Sequence, residues 1–289
     1  MKKPILLLLA TAAAAILPEA KVCAQEAPCH HKILRYKTWQ QTPATAWNLS
    51  IDTPTGGKLR YLGAEHSTDT SHSQFQIIKE NWEALHPTIA FFEGPDRGIA
   101  ATEQETISQL GESGYVRYLA KASGIKTRSL EPGPQEEVDY LLSLEKFTPE
   151  QVKLFFILRE ASRLRERKGM NEEEIKEAIA QLLPKADQLI PALAGVLPDT
   201  ASLQPAFEKY WARQGEWWQA PAHWFDPLKD GKETGGNFTN EINTHSSDFR
   251  NLHMYRILTE AVQQGERVLA VVGRNHVPMQ AEAIRCELE

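Results

Sequence analysis

The sequence lacks the motifs by which the commonest enzyme classes are recognised. It contains no Walker loop, no Gly-x-Gly-x-x-Gly turn, no His-Glu-x-x-His helix and no Gly-x-Ser-x-Gly nucleophile elbow. These absences argue against P-loop, dinucleotide-binding, zincin and serine-hydrolase chemistry. A catalytic site in this chain must therefore be assembled from shorter patterns, whose meaning depends on where the fold places them.

Excess positive charge is missing as well. The 32 lysines and arginines are outnumbered by 38 aspartates and glutamates, which leaves a net charge of −6. This balance does not neutralise phosphates in bulk, so we expect no nucleic-acid partner. Beyond the N-terminus, no apolar run is long enough to cross a bilayer as a helix, so we also expect no membrane span.

The N-terminal 24 residues have the pattern of a secretory signal peptide. Two lysines precede an apolar run over residues 5–17, which is too short to span a bilayer comfortably, and small residues up to Ala24 offer a cleavage site. We therefore expect residues 1–24 to be removed and the mature protein to be periplasmic or extracellular. The alternative is lipid attachment at Cys23, which the residues before that cysteine do not favour.

Cysteines are few: the chain has three, and removal of the signal peptide leaves Cys29 and Cys286. In an oxidising compartment, a disulfide between them would close nearly the whole chain into one loop. The alternative is a pair of free thiols that lie too far apart to join. We favour the disulfide and interpret it as a structural link.

Strand-like and helix-like patterns alternate along the rest of the chain. The strand-like runs are residues 59–62, 88–92, 126–130 and 268–272. This order predicts an α/β fold with a mostly parallel central sheet flanked by helices and interrupted by an α-helical insertion. The predicted divisions after the signal peptide are an N-terminal arm (25–58), a first α/β half (59–145), the helical insertion (146–225) and a second α/β half (226–289).

An aromatic cluster lies at the end of the insertion and has two interpretations. It is either a local core that fastens the helices to the sheet or a lining for an apolar or planar substrate. Its members are Phe207, Tyr210, Trp211, Trp217, Trp218, Trp224 and Phe225.

Acidic and histidine side chains follow the strand-like runs at the points where these end. Glu65 and His66 follow the first run, Glu93 the second and Glu131 the third, and a Gly-x-x-His turn ending in His276 follows the last. In an open parallel sheet, such strand ends meet in one crevice, where ligands bind. The sequence therefore predicts one site to which both ends of the fold contribute.

These residue types suit metal-assisted hydrolysis. His66 and His276 can bind a divalent ion, and Glu93 can act as a third ligand or orient one, with a position left open for water. Glu65 is the candidate general base. Arg250, early in a predicted helix, can neutralise developing negative charge; alternatively it forms an ion pair with a neighbouring glutamate, and these roles are compatible.

Several short motifs resemble one superfamily, which gathers TraB/GumN proteins, Tiki proteases, ChaN haem-binding proteins and erythromycin esterases. The matching motifs are Leu62-Gly-Ala-Glu-His66 followed by His72, Phe92-Glu-Gly94, Ser129 to Gln135, Arg250-Asn251 with Met254, and Val271 to His276. They cover most of residues 59–280 apart from the insertion. The sequence departs from the family pattern at Ser129, where glycine is usual, and at Asn251, where aspartate is usual.

The resemblance implies a metal-dependent hydrolase or protease site built from His66, Glu93 and His276. His72, Glu131 and Asn275 are predicted to support the ligands or contact the substrate. The bound ion would be Mn, Co or Zn, and the substrate a peptide or a small molecule with an ester bond.

The alternative from the same superfamily is a haem- or iron-binding protein without catalysis. The histidines would then be axial ligands, the tryptophans would hold the macrocycle, and Arg250 would meet a propionate. A third possibility is a degenerate member that serves only as an interaction surface.

Overall fold

A single five-stranded sheet organises the protein. The computed structural model describes residues 29–41, 46–212 and 215–289, so the predicted signal peptide and Cys23 lie outside the described residues. The strands are β1 (Asn48–Asp52), β2 (Lys58–Ala64), β3 (Ile89–Phe92), β4 (Lys126–Ser129) and β5 (Arg267–Gly273). They lie in the order β1-β2-β5-β3-β4, with β1 antiparallel to β2 and the other pairs parallel. The predicted α/β fold with a mostly parallel sheet is confirmed.

Helices flank this sheet and fill the connections. They are α1 (Tyr36–Gln41), α2 (Ser73–Leu85), α3 (Glu103–Ser123), α4 (Pro134–Ser143), α5 (Pro149–Lys168), α6 (Glu172–Leu189), α7 (Leu203–Tyr210), α8 (Gly231–Thr234), α9 (Thr239–Gln263) and α10 (His276–Leu288). Short 3-10 turns occupy residues 30–32, 191–193, 200–202, 217–219 and 222–225. None of the helices in the described ranges is long and apolar enough to cross a membrane.

Strand β5 is central because its apolar residues are buried on both faces, as is typical of inner parallel strands. Val268, Ala270 and Val272 pack on one side with residues of α9 and α10. Leu269 and Val271 pack on the other side with residues of α2 and α3. The last strand of the chain thus lies between β2 and β3, in the interior of the sheet.

The segment between β4 and β5 builds a separate hydrophobic core from α5, α6 and α7, to which α4 and the start of α9 also contribute. Helix α5 begins with a reciprocal capping box made by Thr148, and Pro149 occupies its first turn. The aromatic cluster belongs to this core. The Trp211 ring stacks on Phe207 at 5.2 Å and on Trp224 at 4.9 Å between ring centroids. This packing supports the interpretation as a core.

The predicted disulfide is present. Cys29 and Cys286 are bonded, with their Cα atoms 5.9 Å apart and 257 positions apart in sequence. The bond ties the N-terminal 3-10 turn to α10, and the backbone N–H of Cys29 also donates to Glu287 at 3.3 Å. The first described residues are therefore held against the last helix of the chain.

We expect the double substitution Cys29→Ala with Cys286→Ala to lower the free energy of unfolding by about 2–5 kcal/mol, because it releases a very long loop in the unfolded chain. Guanidinium denaturation of the oxidised proteins measures the difference. Reductant is the control: it should bring the wild type to the variant's stability and leave the variant unchanged. Equal stability of the two oxidised proteins would contradict the prediction.

Candidate functional site

One crevice of about 360 Å³ lies at the carboxyl edge of the parallel strands. Six of the predicted site residues line it, namely Glu65, His66, Glu93, Arg250, Asn275 and His276. They come from the ends of β2, β3 and β5 and from helix α9. The strand order explains why these residues lie close together, because β5 runs parallel between β2 and β3.

His66 is held by a carboxylate that the sequence analysis did not identify. Its Nδ1 lies 2.6 Å from Oε1 of Glu112, whose side chain is only 7% exposed. The hydrogen bond to Glu112 raises the pKa of His66, against a smaller opposing effect of desolvation. His66 itself has the left-handed backbone conformation, with φ of 53°. The ring is anchored at Nδ1, which leaves Nε2 for the crevice.

Glycine at position 273 lets His66 and Glu93 approach each other. A Cβ atom at Gly273 would lie 2.8 Å from Nε2 of His66 and 3.2 Å from Oε2 of Glu93. The backbone N–H of Gly273 also donates to that Glu93 oxygen at 2.5 Å. Any side chain here would collide with the imidazole, so packing requires glycine at the start of the Gly-x-x-His turn that ends in His276.

His276 is anchored in a similar way from the first turn of α10. Its Nδ1 lies 2.7 Å from Oδ1 of Asn251, and Gln280 Nε2 donates to the same oxygen at 2.9 Å. An amide oxygen only accepts, so Nδ1 of His276 is placed to donate to Asn251. Its Nε2 faces Oε1 of Glu93 at 3.6 Å. Both histidines therefore present Nε2 to the neighbourhood of Glu93.

Arg250 joins two glutamates at the floor of the crevice. Its guanidinium donates to Glu131 through Nε at 2.7 Å and Nη2 at 2.5 Å, and to Oε1 of Glu93 at 2.8 Å. Burial alone would raise the pKa of Glu93, but His276, Arg250 and the Gly273 N–H together hold that pKa well below its usual range. Glu93 is therefore ionised throughout the neutral range, and Arg250 has the ion-pair role.

Glu65 and His72 lie at the rim of the crevice. Glu65 is about half exposed and pairs with Arg274, with Oε1 2.8 Å from Nη1. His72 caps α2, and its Nε2 lies 3.8 Å from Oε2 of Glu65. The carboxylate next to His66 in sequence is thus directed to an arginine, and Glu112 takes the position beside the imidazole.

The donor arrangement does not fit a resident metal ion held by the three predicted ligands. Among the described residues, no three His, Cys, Asp or Glu side chains are close enough together to hold an ion. Both oxygens of Glu93 already accept hydrogen bonds, from Arg250 and Gly273, so a cation there would stand beside a guanidinium. Metal ligation stays a prediction, and we derive the chemistry of the crevice from its own side chains.

Three contributors were missed by sequence reasoning. Tyr36 reaches the crevice from α1 in the N-terminal arm, where the sequence carries no signal for it. Gln280 and Glu112 act through the histidines they support. For Glu112 a signal exists: Gly111 interrupts α3 with φ of 60°, and a Cβ there would lie 3.1 Å from the carbonyl oxygen of Ser67. A glycine within a helical pattern costs about 1 kcal/mol relative to alanine, which points to a packing reason for its presence.

Comparison of the chain with models of protein families, with characterised proteins and with solved structures finds no match. The superfamily resemblance therefore rests on the short motifs alone, and function has to be argued from the geometry of the crevice.

We expect His66 to titrate above the ordinary histidine value of about 6.5, and Glu112→Gln to lower its pKa. Because the folded-state pKa is raised, the stabilisation by this pair is present at acidic pH and is lost as pH rises through that value. NMR titration of the imidazole C–H signals measures both proteins. Glu103→Gln, also on α3 but without contact to His66, is the control. An unchanged pKa in Glu112→Gln would contradict the assignment.

We expect Arg250→Met to lower the free energy of unfolding by about 3–5 kcal/mol, because it leaves Glu93 and Glu131 without their cation. Arg163→Met is the matched control: it breaks a more exposed pair with Glu160 on α5 and should cost about 0–1 kcal/mol. Urea denaturation at neutral pH compares them. Equal losses of unfolding free energy in the two variants would contradict the prediction that the Arg250 cluster stabilises the fold more than an exposed ion pair does.

Proposed function

We propose that the protein is an exported hydrolase that cleaves ester or peptide bonds in this crevice, with His66 as the general base. The observation that carries the proposal is the His66–Glu112 pair. A largely buried carboxylate holds Nδ1 at 2.6 Å, and the opposite nitrogen faces the crevice beside Glu93 and Gly273. This is the arrangement by which a carboxylate orients an imidazole for proton transfer in hydrolases.

In the first step, Nε2 of neutral His66 takes a proton from a water molecule as the water oxygen bonds to the substrate carbonyl carbon. Glu112 stabilises the resulting imidazolium through Nδ1. In the second step the tetrahedral intermediate collapses and the C–O or C–N bond breaks. The leaving group takes the proton from His66, so the base returns to its neutral form.

Negative charge on the carbonyl oxygen has a favourable location in the same crevice. Asn275 and His276 both line it and form the N-terminal end of α10. Backbone N–H groups and the helix dipole favour an anion at such an end. Arg250 contributes indirectly: its charge is satisfied by Glu93 and Glu131, so we assign it to holding Glu93, and with it His276, in place.

The haem-binding alternative has no comparable observation in its favour. The tryptophan rings that would hold the macrocycle are packed in the core, and Trp211 and Trp224 stack on one another. A hemin titration of the mature protein distinguishes it directly. A sharp Soret shift that is lost in a His66 variant would favour haem binding over hydrolysis.

We expect His66→Asn to lower kcat by about 10²–10⁴-fold toward aryl esters or unstructured peptides, because a general base contributes that much. His86→Asn is the matched control. Both histidines have left-handed backbone, with φ of 53° and 48°, a conformation that asparagine tolerates, and His86 lies outside the crevice. Thermal unfolding should show both variants folded.

Absence of turnover of both substrate classes by the wild type would overturn the hydrolase proposal. Metal analysis and chelation are the second arm of the experiment. Activity that EDTA abolishes and Mn, Co or Zn restores would replace the role of His66 as base by that of a metal ligand. Equal activity of His66→Asn and His86→Asn would remove His66 from the mechanism altogether.

A further inference from the structure

A second cavity, of about 440 Å³, lies between α5, α6 and the 3-10 turn at residues 191–193. Its size is within the ~300–1,000 Å³ typical of small-molecule pockets. Much of its wall is apolar and is formed by Phe156, Ile157, Leu182, Leu189, Ile190 and Leu193. The helical segment between β4 and β5 thus encloses an apolar space of ligand size.

Exposed apolar side chains are concentrated at this cavity. Three large hydrophobic residues are exposed in the described part of the chain, and two of them, Leu182 and Leu189, line it. Leu189 is 64% exposed. Apolar surface left in contact with water beside a cavity marks a binding site more often than a chance feature.

The cavity reaches the catalytic crevice through an intervening cavity of about 750 Å³. Gly94, Pro95 and Glu131 line both the apolar cavity and the intervening one. His66 and Glu93 line both the intervening cavity and the crevice. Glu131 holds Arg250, which in turn holds Glu93. A substrate whose carbonyl group lies at His66 therefore has an apolar space next to it, past the turn that follows β3.

Polar groups in the cavity wall are largely compensated within the protein. Lys153 is buried and pairs with Asp187, and it also lies 3.4 Å from the carbonyl oxygen of Leu193. Arg159 donates to Asn243 at 3.2 Å and lies over the Phe155 ring at 4.8 Å. The two cations thus have partners, so the cavity does not call for an anionic ligand, and an uncharged apolar group matches its walls.

We propose that this cavity binds a linear apolar acyl chain of the substrate, so that the enzyme cleaves esters or amides of medium- and long-chain acids in preference to acetyl compounds. The inference rests on the proposed hydrolase function and specifies its substrate class. The acyl carbonyl lies in the crevice at His66, and the chain extends past Gly94 and Pro95 between α5 and α6.

The test compares p-nitrophenyl acetate with p-nitrophenyl octanoate. We expect kcat/KM of the wild type to be at least ~10-fold higher for octanoate, since each buried methylene contributes to binding. Ala186→Trp places a large ring at a lining position of α6 and should remove that preference while it leaves acetate hydrolysis within about twofold. Ala180→Trp, at an exposed position of the same helix that does not line the cavity, should behave as wild type.

A second variant and a binding measurement keep the test independent of folding and of turnover. Leu189→Asn changes an exposed side chain, which makes little demand on packing, and should also weaken the octanoate preference. Saturation-transfer NMR with 1-octanol reports occupancy of the cavity directly. We expect a signal with wild type and Ala180→Trp that is lost with Ala186→Trp.

The outcomes separate the two proposals. Hydrolysis without any preference for octanoate, or a preference that survives in Ala186→Trp, would overturn the acyl-chain site and leave the hydrolase intact. Octanol binding without hydrolysis of either ester or of peptides would overturn the hydrolase and leave an apolar-chain site. A preference for peptides with large apolar residues over octanoate would assign the cavity to a side chain and overturn the acyl-chain proposal.

Discussion

The carboxylate of Glu93 is the group on which the rest of the site depends. It is placed by β3, accepts from the Gly273 N–H at the end of β5, pairs with Arg250 of α9 and faces His276 of α10. A largely buried charge is tolerated only when its partners are in place. Glu93 therefore couples the strand order, the position of α9 and the start of α10. All three contribute side chains or backbone groups to the crevice.

Close backbone approach is the second constraint, and two glycines satisfy it. Gly273 leaves room for the His66 ring beside Glu93, and Gly111 lets α3 bend against the carbonyl oxygen of Ser67. The bend brings Glu112 to His66. The glycines have no reactive side chain, yet they determine which carboxylate binds the imidazole, because a hydrogen bond forms only between groups that lie close together in the fold.

The helical segment between β4 and β5 has two different surfaces. Its aromatic residues pack on each other and on α9, which fastens it to the rest of the fold. Its α5–α6 side leaves the apolar cavity, which an intervening cavity at Gly94 and Pro95 connects to the crevice. On the proposed function, the sheet would supply the proton-transfer groups, and the segment that interrupts it would supply the binding space that distinguishes substrates.

By itself, the sequence predicted the four parallel strands and their alternation with helices, favoured the disulfide between Cys29 and Cys286, and marked the positions at which polar residues leave the sheet. Apolar runs and capping residues act locally, so strands and helices can be predicted from them without a structure. Only the tertiary structure decided which side chains of the site pair with one another. Glu65, adjacent to His66, pairs with Arg274, while Glu112, 46 positions later, holds the ring. The reason is physical: the helix bend at Gly111 and the placement of β5 between β2 and β3 set these distances, and spacing along the chain does not record them.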